Sequence, residues 1–112
     1  MKPWFGLFAA LMGLMIFSPS AHAAGPCNIG QAGATQTVAI DRTGRTMRIH
    51  LPIGFDPAKP APLVFLLHGS GGTGEKMLAS SGLAEAADRH GFIVAAPDAG
   101  IPIDQGFVWN IP

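Results

Sequence analysis

The sequence predicts an α/β fold: an antiparallel hairpin followed by parallel strands joined through a crossover helix. Three observations predict it. Residues 35–40 and 46–51 alternate in side-chain character with period two across a short link containing Gly44. Residues 63–67 and 92–96 are short apolar runs bounded by proline and glycine, the pattern of strands buried on both faces. Between those runs, Met77, Leu78, Leu83, Ala84, Ala86 and Ala87 recur at helical spacing. The order hairpin, strand, helix, strand implies a mixed sheet whose later strands are parallel.

At 112 residues the chain is at most one domain. Its formal net charge is +0 and only 12% of residues are charged. No basic patch recommends nucleic acid, and no acidic tail is present. Residues 1–24 begin with Lys2, continue as an unbroken apolar run over 4–17 and end in Ala21-x-Ala23. That is the pattern of a secretory signal peptide, cleaved after Ala23 or Ala24, and the run is short for a bilayer span. The expected destination is outside the cytoplasm, extracellular or periplasmic, with no stable membrane anchor. Residues 25–34 are Gly- and Ala-rich and read as a flexible leader. It holds Cys27, the single cysteine, which an exported protein would be expected to pair.

Residues 35–112 then form the domain portion. In the hairpin, Thr35, Thr37 and Ala39 face one way and Gln36, Val38 and Ile40 the other. In its second strand Met47, Ile49 and Leu51 oppose Thr46, Arg48 and His50, which puts His50 outward and solvated. Prolines 52, 57, 60 and 62 mark a surface connection. Gly82 interrupts the helical segment at a cost of about 1 kcal/mol. A short helix is therefore expected first, then a second capped near Ser80 or Ser81. His90-Gly91 closes the second helix. Pro97-Asp98 ends the last apolar strand, and residues 99–112 read as loop. Two doubly buried strands need helices on both faces. Only one helical segment is offered, so the expected fold is incomplete.

The chain is organised around His68-Gly69-Ser70-Gly71-Gly72-Thr73-Gly74, directly after the first apolar strand. A phosphate-binding loop would need lysine where Glu75 stands and a hydroxyl where Met77 stands. A dinucleotide fingerprint is met literally by Gly69, Gly71 and Gly74, with Asp98 placed to reach a ribose. An antiparallel hairpin before the first βα unit, and the export signal, argue against it. In the third reading the loop forms an oxyanion hole, in which backbone N–H groups stabilise the charge that develops on an ester carbonyl oxygen. Ser70 and Gly71 are the candidate donors. His68 braces the loop in this reading and is not the general base. No His, Cys and Asp cluster has metal-ligand spacing.

Seven short motifs carry a resemblance. They are Gly44-Arg-x-x-x-x-His50-Leu-Pro52, Lys59-Pro-Ala-Pro-Leu-Val64, His68-Gly-x-Gly-Gly72, Ser81-Gly-Leu83, Ala87-Asp-x-x-Gly-Phe-Ile-Val94, Pro97-Asp98 and Trp109-Asn110. In that order they resemble the amino-terminal third of secreted polyhydroxybutyrate-depolymerase-like esterases, a group with feruloyl-esterase relatives. The match runs from about residue 38 to residue 110. The resemblance implies the N-terminal part of an α/β-hydrolase fold and a carboxylic ester hydrolase with a serine nucleophile on a G-x-S-x-G elbow. It implies polyhydroxyalkanoate or aryl-ester substrates, no cofactor, and His68, Gly69, Ser70, Gly71 and Gly72 as the oxyanion loop, with Trp109 at a substrate cleft. No G-x-S-x-G occurs in the 112 residues. The nucleophile, acid and base are expected beyond them, and the chain alone is expected to be inactive. Some relatives carry cysteine where Val108 stands, so Cys27 has no assigned partner. The other readings are a Rossmann-type dinucleotide-binding fragment and a non-catalytic truncated remnant.

Overall fold

The computed structural model describes Met1 and residues 29–112. The expected signal peptide, Met1 apart, and Cys27 lie outside the described residues. Strands β1 (Ala34–Ile40) and β2 (Arg45–Leu51) pair antiparallel, with Ala34 opposite Leu51 and Ile40 opposite Arg45. The link between them turns through Arg42 (φ 54°) and Gly44 (φ 67°). A left-handed conformation costs glycine nothing, which is why the turn residue before Arg45 is glycine. Burial along β1 alternates as the period-two pattern requires.

Strand β3 (Leu63–Phe65) leads through the glycine loop into α1 (Gly74–Ser81) and α2 (Leu83–His90), and β4 (Ile93–Pro97) follows. β4 lies between β2, antiparallel to it, and β3, parallel to it, giving the order β1-β2-β4-β3. The expected mixed sheet with a parallel pair across a helical crossover is thus present. Two helices form where Gly82 divides the segment. It adopts φ 68°, ending α1 and opening α2. The residue that opens α2 is Gly82, with no side-chain cap, and not Ser80 or Ser81 as expected; Ser81, the last residue of α1, accepts the Leu83 N–H on its Oγ at 3.2 Å. Gly91 (φ 74°) closes α2 by donating its N–H to the Ala87 carbonyl at 2.8 Å.

Both helices cover one face of the sheet. Leu78 and Ala87 pack there on Val94 and Ala96, with Leu66, Leu83, Ala84 and Phe92 around them. The other face is bare at β3: Leu63, Phe65 and Leu67 are 52%, 64% and 57% exposed. This corrects the expectation of a strand buried on both faces. An apolar run records that a strand could be buried twice, but β3 is the last strand of the sheet and its second face has no helix among the described residues. Residues 99–112 also differ from the expected loop. They contain a second antiparallel pair, β5 (Ile101–Ile103) and β6 (Gly106–Val108). Three-residue strands containing proline and glycine carry too little periodicity to be read from sequence.

Candidate active site

His68 stands where β3 gives way to the loop, and it is 4% exposed. Its Nε2 accepts the Ala99 backbone N–H at 3.0 Å, so the ring proton sits on Nδ1 and is donated to the Gly69 carbonyl at 2.7 Å. With both nitrogens engaged by backbone, His68 has no lone pair left to take a proton from a nucleophile. It fastens the start of the loop to the turn after β4. Trp109 adds a third tie, donating its indole N–H to the His68 carbonyl at 2.8 Å, with the two rings 4.9 Å apart. The Arg45 guanidinium lies 5.8 Å from the Trp109 ring and donates twice to the Asp98 carbonyl, at 3.1 and 2.8 Å.

The far end of the loop is held by Asp98. One carboxylate oxygen accepts the Gly74 N–H at 2.7 Å and the other accepts the Thr46 hydroxyl at 2.7 Å. Thr73 caps α1 by accepting the Lys76 N–H at 3.2 Å. The first turn of α1 therefore already faces a carboxylate, in the place where a bound phosphate would sit. The dinucleotide reading put that carboxylate on a ribose. Both of its oxygens are instead engaged inside the fold. Gly74 must be glycine because a Cβ there would collide with the Ala96 carbonyl.

The amide groups of the loop divide in two. Gly71 donates to the Phe107 carbonyl at 3.0 Å, Phe107 donates back to Gly72 at 3.0 Å, and Gly72 donates to Gly69 at 3.0 Å. Gly71, a candidate oxyanion donor by sequence, is thus occupied in anchoring the β5–β6 hairpin. The hairpin had not been foreseen, and it is what takes the donor away. The N–H groups of Gly69 and Ser70 find no acceptor among the described residues. Ser70 and Gly71 open onto a depression of ≈ 790 Å³ whose other wall is Pro102, Ile103, Asp104 and Gln105 of the hairpin. Trp109 does not line it. Trp109 lines a smaller apolar depression of ≈ 370 Å³ with Leu67, His68, Asn110 and Ile111.

A second buried histidine lies on the helix-covered face. His50, 4% exposed, was expected to be solvated. Its Nδ1 meets the Thr35 hydroxyl at 2.8 Å and its Nε2 the Asp88 carboxylate at 3.0 Å. Asp88 also accepts the Ile53 N–H at 2.9 Å. The His50 hydrogen bond, then the Ile53 amide, hold the Asp88 carboxyl below its ordinary value, against the opposing effect of partial burial. Alternation placed His50 correctly opposite Ile49 and Leu51. What alternation could not show is that α2 covers that face. Arg45, Thr46 and Asp98 were likewise missed as braces. Arg45 and Asp98 do fall inside two of the quoted motifs, the available signal, but nothing local gives their role.

No family model matches the chain, and no curated protein matches it. Among solved structures it is similar to an acetyl xylan esterase from Aspergillus awamori, 28% identical, with a TM-score of 0.51. The similarity covers 66% of this chain and 27% of the esterase. The chain therefore spans about a quarter of that protein's length. At this level the likeness supports an esterase-like α/β fold.

Proposed function

We propose that the chain supplies the oxyanion loop of a secreted carboxylic ester hydrolase, related in reaction to polyhydroxybutyrate-depolymerase-like and feruloyl-esterase-like enzymes. The nucleophilic serine would be contributed from outside the 112 residues. One observation carries the reading: Gly69 and Ser70 present consecutive amide N–H groups without acceptors among the described residues, on a loop fastened at both ends whose Ser70 lines an open depression. Donors held in place before reaction stabilise a developing oxyanion without reorganising. The likeness to an acetyl xylan esterase supports an ester substrate. Ile103 and Pro102 line the depression and would be the apolar surface offered to the acyl group, whether it is carried by a polysaccharide, a polyester or an aryl alcohol.

In acyl transfer the serine oxygen attacks the ester carbonyl while a base, like the serine contributed from outside the 112 residues, takes its proton. The carbonyl electrons move onto oxygen as it faces the Gly69 and Ser70 N–H groups, and they return as that base gives the proton to the departing alcohol. Water then releases the acid by the same route. His68 holds the loop and transfers no proton. The 112-residue chain should leave p-nitrophenyl acetate at its background rate of hydrolysis. In an extended form carrying a G-x-S-x-G serine, Ser70→Ala keeps the backbone donor and should change kcat by less than about threefold. Gly69→Pro removes one donor and should lower kcat by about 10²–10³, with the circular-dichroism spectrum unchanged. An extended form whose kcat survives Gly69→Pro would overturn the assignment. Binding of NAD by the chain would favour the dinucleotide reading instead.

A further inference from the structure

Thr35 and Thr37 stand on the same face of β1, and both are exposed. Their hydroxyls are held by opposite partners. Thr37 accepts from the Arg48 guanidinium, which also donates to Glu75 at 2.6 Å. Thr35 meets Nδ1 of the buried His50 at 2.8 Å, and Nε2 of that ring meets Asp88 at 3.0 Å. A carboxylate can only accept, so the ring proton lies on Nε2. The neutral ring then keeps its lone pair on Nδ1, directed at the proton of the Thr35 hydroxyl. Asp88 is fixed in turn by the Ile53 N–H at 2.9 Å. Hydroxyl, base and the group that orients the base therefore stand in line. Beside Thr35 lies a groove of ≈ 440 Å³, lined by Arg48 and by the apolar Leu78, Ala79 and Ala84. All of these residues belong to β1, β2, α1 and α2, and β4 separates the two strands from β3.

We propose that Thr35 is an acyl-acceptor site: its hydroxyl, activated by His50, takes one acyl group from an activated aryl ester and retains it. The Thr35 oxygen attacks the ester carbonyl while its proton passes to His50 Nδ1, and Asp88 stabilises the imidazolium so formed. A bond forms between the Thr35 oxygen and the acyl carbon. The bond from that carbon to the aryl oxygen breaks, and the phenolate leaves with the electron pair. His50 then gives its proton to the phenolate or to water. Retention follows from the leaving groups. A phenolate departs readily, but releasing the acyl group from Thr35 requires an alkoxide to leave. That step relies on preorganised donors for the carbonyl oxygen. The free amides of Gly69 and Ser70 follow β3, with β2 and β4 between that strand and β1. One acyl group is thus taken up per chain while steady-state hydrolysis stays at background. The inference is independent of the esterase reading, because no part of the glycine loop takes part.

Incubation of the full chain with p-nitrophenyl acetate, followed by peptide mapping in a mass spectrometer, tests it. Thr35 should be acetylated about 10²-fold faster than Thr37, the scale on which a positioned base acts. His50→Gln should lower Thr35 acetylation by about 10²-fold and leave that of Lys59 and Lys76 unchanged. Asp88→Asn should lower it by about tenfold or more, because an amide N–H in that place can reverse the ring tautomer. Thr35→Ser keeps the hydroxyl and should be acetylated at least as fast as the wild type. Equal acetylation of Thr35 and Thr37 in the wild-type chain would overturn the proposal, whatever the variants do. So would Thr35 acetylation that is unchanged in His50→Gln. Either result would leave the three side chains as a tie between the hairpin and α2 and nothing more.

Discussion

His68 and His50 are equally buried, yet they are held in opposite ways. His68 is bound to main chain: its ring to Gly69 and Ala99, and its own carbonyl to Trp109. His50 is bound to side chains, between Thr35 and Asp88. The backbone-tied histidine fixes the path of the loop, because moving it requires moving the turn after β4. The side-chain-tied histidine joins the hairpin to α2 while leaving each backbone free to follow its own element. In a small domain with a thin core, polar ties of the first kind shape the site and those of the second kind assemble the layers.

This contrast predicts a ranking of effects in urea unfolding of the chain, read as midpoint shifts at constant slope. His68→Ala should be the most damaging. It leaves the Ala99 N–H buried without its acceptor and the Gly69 carbonyl without its donor, a loss of about 2–4 kcal/mol. Amide exchange at Ala99 should accelerate while exchange at Ile53 does not. His50→Ala should cost less, about 1–2 kcal/mol, because Thr35 and Asp88 both reach water. Equal losses in the two variants would remove the distinction between the histidines. Trp109→Phe keeps the ring against His68 and deletes one donor, and should cost about 0.5–1.5 kcal/mol. The esterase reading adds that this variant, in an extended form, should lower kcat more than it raises KM.

The smallest effect should come from pH. Asp88 is held below its ordinary carboxylate value by His50 and by the Ile53 amide. Its stabilising contribution is therefore complete well above the unfolded-state value of about 3.9 and is lost as pH falls through the lower folded-state value. Asp88→Asn should flatten that acid limb of the stability profile and leave His68-dependent loop protection untouched. An unchanged acid limb would show that the carboxylate does not tie α2 to His50 and the Ile53 amide.

Much of this molecule was legible before any coordinates. The alternation in residues 35–40 and 46–51 set the hairpin and its facing residues, and Gly44, Gly82 and Gly91 marked the turn, the break and the helix end. Those signals act within a few residues, through sterics and local hydrogen bonding, so they survive in the one-dimensional string. The glycine loop was visible for the same reason, as a run of residues that can bend where others cannot. Which amides remain available in it was not visible. That depends on Phe107, far along the chain, accepting from Gly71 and donating to Gly72.

The same limit explains His50 and β3. Period two assigns side chains to faces, but it does not say which face another element will cover. His50 is buried because α2 brings Asp88 to it, and β3 is bare because its place at the sheet edge is set by β4 entering between it and β2. By itself the sequence determined the elements as far as Pro97, their order and the loop that could hold an oxyanion, but not the β5–β6 pair. Only the tertiary structure decided which donors stay free, which histidine braces them and which strand face lies open, because each follows from contacts between residues distant in the chain.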